Sequence, residues 1–156
     1  MRIITHDRPG VCAVARAWAD GKGVRVGGWM PAQYEGVLSP FRSHPSDGFL
    51  ECVKRNVSGS HVTLVIQKGS RDHTDWYTLA FNQAQGKRFA FDVLQYEERF
   101  FDDSMKQCVM DIHKRRLMPM SGGIINVVGS ESNAHDSYVY LILDKIYRRL
   151  GDLGYE

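Results

Sequence analysis

The sequence predicts a doubly wound α/β domain, and three observations predict it. Short β-branched runs alternate with longer stretches of helical periodicity. Glycines and prolines punctuate the junctions between them. Hydrophobic residues make up 43% and charged residues 24%, a composition able to bury a core.

The elements follow in chain order. Arg2 to Thr5 reads as a buried strand. Gly10 to Gly21 reads as a helix, because Val11, Val14, Ala15 and Trp18 share one face of the 3.6-residue period. Val24 to Val26 is a short second strand closed by Gly27-Gly28. Trp29 to Pro45 reads as a long loop, punctuated by Pro31, Gly36, Pro40 and Pro45, and long loops are often functional. Ser46 is a candidate N-cap for a helix through Val57 with Phe49, Leu50 and Val53 on its apolar face. Val62 to Ile66 is the strongest strand. Asp75 to Gly86 reads as a helix, Phe89 to Leu94 as a strand and Glu97 to Arg116 as a long helix with Lys114, Arg115 and Arg116 in its last turn. Ile124 to Val128 is a fifth strand, and Asp136 to Leu150 closes the pattern as a helix.

Strands separated by helices pair in parallel through right-handed crossovers. The expectation is therefore a single Rossmann-like domain over residues 1–156, with a mostly parallel sheet of five to six strands and helices on both faces.

Charge and cysteine usage exclude some function classes. Twenty basic and 18 acidic side chains leave a net charge of +2, so nothing marks a dedicated nucleic-acid binder. Cys12, Cys52 and Cys108 are odd in number, lack metal-ligand spacing and fall in apolar segments, which suits buried small hydrophobes. No run approaches the roughly 18 apolar residues of a membrane span, and Met1-Arg2-Ile3-Ile4-Thr5 lacks the long apolar run expected of a signal peptide. A cytoplasmic protein with no membrane partner is expected.

Ligands of open parallel sheets bind outside the carboxyl ends of the strands. Three loops are candidates: Thr5-His6-Asp7-Arg8-Pro9-Gly10, then Gln67 through Thr74, then Gly129 through Asn133. Each precedes a helix, whose N–H groups and dipole favour an anion. Arg8, Lys68 and Arg71 add positive charge suited to phosphate. Taken singly, each loop is more simply read as caps and solvated turns. None contains a dinucleotide fingerprint or a P-loop. The six histidines lack metal spacing, so no metal is expected; His73 and His135 lie in ligand-side loops. Asp102-Asp103 sits at a helix start, where carboxylates commonly serve the dipole. Trp29, Tyr34 and Phe41 could stack on a base or pterin, or cover the long loop.

Four stretches carry a resemblance. They are Thr5-His6-Asp7-Arg8-Pro9-Gly10-Val11, Gly27-Gly28-Trp29-Met30-Pro31, Lys54-Arg55-Asn56-Val57 leading into Val62-Thr63-Leu64-Val65, and Ile125-Asn126-Val127-Val128-Gly129. In order and without permutation, over about Ile3 to Leu150, the chain resembles the proteins classed as molybdenum-cofactor carriers. These belong to the SLOG/LOG-like Rossmann nucleotide-binding superfamily, which also holds LOG-type nucleotide-processing enzymes. The chain departs from that pattern in its glycine loops. His6 and Asp7 replace a glycine pair, His73-Thr74-Asp75 stands where the family has Gly-Gly-Thr, and Ser130-Glu131-Ser132 replaces Pro-Arg-Glu. Side chains in place of glycines change the shape and polarity of a phosphate cradle.

A Rossmann scaffold with three polar ligand-side loops and no coherent nucleophile, base or metal set points to a non-enzymatic binding protein. It would hold or sequester a phosphorylated, nucleotide-like small molecule: a signalling nucleotide, an ADP-ribose derivative or a pterin cofactor. The expected ligand-binding residues are Thr5, His6, Arg8, Gly10, Gly28, Trp29, Lys68, Arg71, His73, Thr74, Gly129, Ser130 and Ser132. One alternative is a LOG-like hydrolase of an N-glycosidic or phosphate bond, with Asp7, Asp72 or Glu131 as acid or base. Another is a structural oligomer with a degenerate pocket. The family resemblance suggests a homodimer or homotetramer, with Tyr138, Tyr140 and Tyr147 of the last helix at an interface.

Overall fold

The computed structural model describes residues 1–6, 8–31, 41–44, 49–68, 80, 84, 87–115, 122–131 and 136–154. In chain order these form β1 (Arg2–Ile4), α1 (Val11–Lys22), β2 (Arg25–Pro31), β3 (Phe41–His44), α2 (Phe49–Ser58), β4 (Val62–Gln67) and β5 (Arg88–Asp92). A 3-10 turn at Val93–Gln95, α3 (Glu98–Arg115), β6 (Ile124–Gly129) and α4 (Asp136–Asp152) follow. The strands make one sheet in the order β3-β2-β1-β6-β4-β5, and every described pairing is parallel. This is the Rossmann-like doubly wound layout expected of the sequence.

The order reverses between β1 and β4, where β6 is inserted. Ile3 pairs with Val26 on one side and Ile125 on the other, and Ile66 pairs with Gly129. Because all strands run the same way, the ends of β1, β2, β4 and β6 reach a common edge. A reversal of this kind opens a crevice at the carboxyl ends.

Alternation along the strands sends side chains to two cores. Ile3, Leu64, Ile66, Ile125 and Val127 join residues of α1, α3 and α4 in the larger core, centred on Trp18, Met105, Ile112, Leu143 and Ile146. Val65 and Val128 face the other way and pack with Val53 and Val57 of α2, with Cys12, and with Ala80 and Ala84. The helices bury what their periodicity predicts. The buried residues of α3 are Phe101, Met105, Cys108, Val109 and Ile112. Val139, Ile142, Leu143, Ile146 and Leu150 of α4 are also buried.

Polar ties fix the helices. Trp18 Nε1 donates to Asp144 Oδ1 at 2.9 Å, joining α1 to α4. Asp102 accepts from Lys145 Nζ at 2.8 Å, and its backbone oxygen accepts from Arg149 at 3.0 Å, joining α3 to α4. Lys145 first, then Arg149, holds the Asp102 carboxyl below its ordinary pKa. That carboxylate thus clamps two helices.

Several boundaries differ from those read in the sequence. The second strand does not stop at Gly27-Gly28 but runs on through Trp29 and Met30 to Pro31. Residues Phe41–His44, expected as loop, form β3 on its edge, with Gly28 opposite Phe41 and Pro31 opposite His44. Strand pairing here overrides a Gly-Pro-rich composition. The strand expected to reach Leu94 ends at Asp92, whose side chain caps the 3-10 turn by accepting from Leu94 N. The first helix passes Gly21 and stops at Gly23, which takes the left-handed conformation of a helix C-cap at φ 67°. The proposed N-cap Ser46 and most of the helix expected from Asp75 to Gly86 lie outside the described residues.

Candidate functional site

The carboxyl edge collects the described members of all three candidate loops. Thr5 and His6 follow β1, Gln67 and Lys68 close the β4 side, and Gly129, Ser130 and Glu131 end β6. Asp7, Arg71, Asp72, His73, Thr74 and Ser132 lie outside the described residues, as do Tyr34 and His135. The side chain of Phe41 is likewise not described.

Three glycines bring the loops together. A Cβ at Gly10 would strike the Ser130 carbonyl and the Glu131 backbone. One at Gly28 would overlap the Thr5 carbonyl oxygen, and one at Gly129 would overlap the Ile66 carbonyl oxygen and press on Val11. Gly10 and Gly28 also have φ of 78° and 154°, where a side chain is strained. These glycines therefore pack backbone on backbone between β1, β2, β4 and β6. They were expected to admit a phosphate closely; the space a side chain would take at each is filled by protein atoms.

The first turn of α1 is engaged in the same packing. Val11 N donates to the Ser130 carbonyl at 3.0 Å, so the β6 loop caps one N–H of that helix. Gly10, the N-cap residue, contributes no side-chain bond.

Below the edge lies a buried polar layer. Thr5 is fully buried and its hydroxyl donates to the Val127 carbonyl at 2.7 Å. The Cys12 thiol approaches the same carbonyl at 3.8 Å. Burial pushes that thiol up to about 11. His6 is buried as well, and Asn56 of α2 reaches it, with Nδ2 at 3.1 Å from Nε2. An amide nitrogen only donates, so His6 Nε2 accepts and the ring proton sits on Nδ1. Burial, and then the charge of Arg8, lowers the His6 pKa to about 3, so the ring is neutral. Thr5 and His6, both expected as ligand-binding residues, are buried below the carboxyl edge.

Asn56 does more than hold His6. Its Oδ1 accepts from Trp29 N at 2.8 Å and its Nδ2 donates to Trp29 O at 3.3 Å. The amide thus serves Trp29 as a neighbouring strand would. Arg55 lies over the Trp29 ring, 4.8 Å from its centroid. Asn56 was read only as part of a motif. Its signal was a polar residue within the apolar stripe formed by Val53 and Val57.

Arg8 and Glu131 meet at the mouth. Arg8 Nε lies 2.7 Å and Nη2 2.6 Å from Glu131 Oε1, with both side chains partly exposed. Arg8 was expected to face phosphate; here it faces a carboxylate that was itself a candidate acid or base. Lys68 is exposed at the end of β4. Beside it, Gln67 Oε1 is buried and has no hydrogen-bond partner among the described residues. Sequence reasoning put Gln67 at the head of the second candidate loop but not among the ligand-binding residues, because an amide at a strand end carries no distinctive signal. No group of three or more potential metal ligands occurs among the described residues. No helix among them is long and apolar enough to cross a membrane.

No family model matches the chain, and no curated protein does. Among solved structures, the chain is similar to one named "Putative molybdenum carrier protein" from Syntrophus aciditrophicus. The two share 17% identity, with 94% of this chain and 92% of that one aligned at a TM-score of 0.63. At that identity the likeness is one of fold, and it spans nearly the whole of both chains.

Proposed function

We propose that this chain is a non-enzymatic binding protein that holds a phosphorylated, nucleotide-like small molecule at the carboxyl edge of its sheet. The observation that carries this reading is Gln67 Oε1. It is a buried acceptor without a partner among the described residues, at the end of a strand beside the point where the order reverses. Native structures rarely leave such a group unmet, and a ligand N–H or O–H would meet it. Arg8 and Lys68 stand at the same edge for a phosphate, with Ser130 beside them. Gly10, Gly28 and Gly129 shape the edge from below, and Trp29 walls one side. Arg71, His73, Thr74 and Ser132 belong to the same loops and complete the proposed set.

The ligand class is a signalling nucleotide, an ADP-ribose derivative or a pterin cofactor, and sequestration is the role that suits it. The solved protein of similar fold bears the name of a carrier, which agrees with holding a small molecule. Glu131 favours binding over hydrolysis, since Arg8 already engages its Oε1. The reading includes a cytoplasmic homo-oligomer. Tyr140 and Tyr147 are exposed one heptad apart on α4, whereas Tyr138 packs inward beside Tyr96.

Native mass spectrometry of protein purified from cells tests the reading, together with thermal shifts across nucleotides, ADP-ribose and a pterin phosphate. A bound mass or a ligand-dependent rise in Tm is expected, worth about 2.7 kcal/mol at a hundredfold excess over Kd. A clean unliganded mass with no shift across the panel overturns it. Turnover of a nucleoside phosphate that Glu131→Gln abolishes would establish the hydrolase instead. A strictly monomeric light-scattering mass removes the oligomer.

A further inference from the structure

A groove of about 180 Å³ opens on the α2 face of the sheet. Its walls include Arg2, at the start of β1, and Arg55, in the last turn of α2. Ile4 and Gly59 contribute apolar lining, and Trp29 and Asn56 close one part. We propose that this groove is an anion site, with Arg2 and Arg55 as its cationic walls, suited to inorganic phosphate or a small phosphate monoester. The proposal shares Gly28 and Trp29 with the strand-end reading but rests on Arg2 and Arg55, which that reading does not use.

The chemistry of the lining supports it. Among the described residues neither guanidinium makes an ion pair and no carboxylate lines the groove. Two cations side by side favour a shared counter-ion, and guanidinium forks match a tetrahedral oxyanion. Arg55 is held without spending its donors, because its contact with Trp29 is made to the ring. The Trp29 backbone in turn is fixed by its two bonds with Asn56, so that wall is preorganised. Gly59 keeps the floor low: a Cβ there would lie 3.1 Å from the Arg55 carbonyl oxygen and 3.6 Å from Ile4 Cδ1.

One field opposes an anion. The carboxyl end of α2 points its dipole toward Gly59, with a pole of about half a charge. Its last carbonyls are engaged: Gly59 N and Ser58 Oγ donate to Arg55 O, and Ser60 N and Oγ donate to Val57 O. Two full positive charges outweigh a half charge that is already hydrogen-bonded.

Arginine Nε–Hε and tryptophan indole signals of the ¹⁵N-labelled full chain test the site. They would be followed during titration with inorganic phosphate and with ribose 5-phosphate, at ionic strength held constant by sodium chloride. Saturable shifts at Arg2, Arg55 and Trp29 are expected, and the tighter of the two probes identifies the source of the phosphate. Arg2→Ala and Arg55→Lys should each weaken binding by about tenfold or more, the loss of a hydrogen bond to a charged group. Arg8→Ala should leave this binding unchanged, which separates it from the strand-end site. Shifts that follow ionic strength alone, or an Arg2→Ala chain that binds as tightly as wild type, overturn the proposal. Arg2 is exposed at a strand start, so its variant carries the test even if Arg55→Lys fails to fold.

Discussion

Arg8 and Glu131, 123 residues apart in sequence, close on one another at the carboxyl edge, with Arg8 Nη2 2.6 Å from Glu131 Oε1. The pair sets the charge at the edge, because the carboxylate offsets the arginine that an anion would seek. Glu131→Gln should therefore tighten binding of a phosphorylated ligand, and Arg8→Ala should weaken it. Both side chains are partly exposed, so each change should move stability by no more than about 1 kcal/mol. Isothermal titration beside chemical denaturation separates the two effects. Equal affinities in both variants would mean that Arg8 takes no part in binding.

Gly28→Ala should destabilise the chain. The new Cβ meets the Thr5 carbonyl, and the backbone φ of 154° is costly for alanine. Strain of this kind costs about 1–3 kcal/mol, a fall in Tm on the order of 5 °C. Gly21→Ala is the opposite case. It lies inside α1 with nothing within 4 Å of its Cβ, and should stabilise by about 0.5–1 kcal/mol. Thermal melts of the two variants should move in opposite directions.

Acid should loosen the fold through its histidines well before its carboxylates titrate. Burial, then Arg8, holds His6 at about 3 in the folded chain, against 6.5 when unfolded. His61 is lowered by burial, then by Lys87 and Arg115, and its Nδ1 accepts from Ile124 N at 2.9 Å. Between those limits the unfolded chain binds the proton and the folded chain does not. The stability from His6 is thus complete above about pH 6.5 and is lost as pH falls toward 3. Its share between pH 7 and pH 5 is about 2 kcal/mol. Urea midpoints of wild type and His6→Gln should converge as pH falls through this window. Parallel curves would place His6 outside the acid response.

The thiols should be silent in the folded state. Cys12, Cys52 and Cys108 are free and buried, and burial raises the pKa of each. A thiol reagent at neutral pH should label none quickly, and all three after denaturation. Rapid labelling of Cys12 in the folded chain would show that the carboxyl edge opens.

Periodicity made the helices and the central strands legible. Phe101, Met105, Cys108 and Ile112 repeat on one face of α3, and Val62 to Ile66 is apolar but for Thr63 because β4 is covered on both sides. The edge was less legible. Trp29, Met30 and Pro31 show no alternation; β3 and the Asn56 amide hold them extended. The glycines of the strand ends were visible, but not that Gly10 and Gly129 pack on Ser130 and Ile66. Nor could the sequence pair Arg8 with Glu131, since long-range ion pairs leave no local pattern. The same holds for His6, whose polarity suggested contact with a ligand and whose burial depends on α2.

The place of β6 has a consequence for how the chain folds. It lies between β1 and β4, so Ile3 meets Ile125 and Leu64 meets Val127 only after residues near 127 are available. Until then the nascent chain can join β1 to β2 and β4 to β5, but the two halves share no ladder. Closing such distant pairings is entropically expensive and slow. Each half meanwhile exposes a hydrophobic strand edge, β1 on one side and β4 on the other, open to self-association. Insertion of the last strand is therefore the step at which two sticky sub-structures become one sheet.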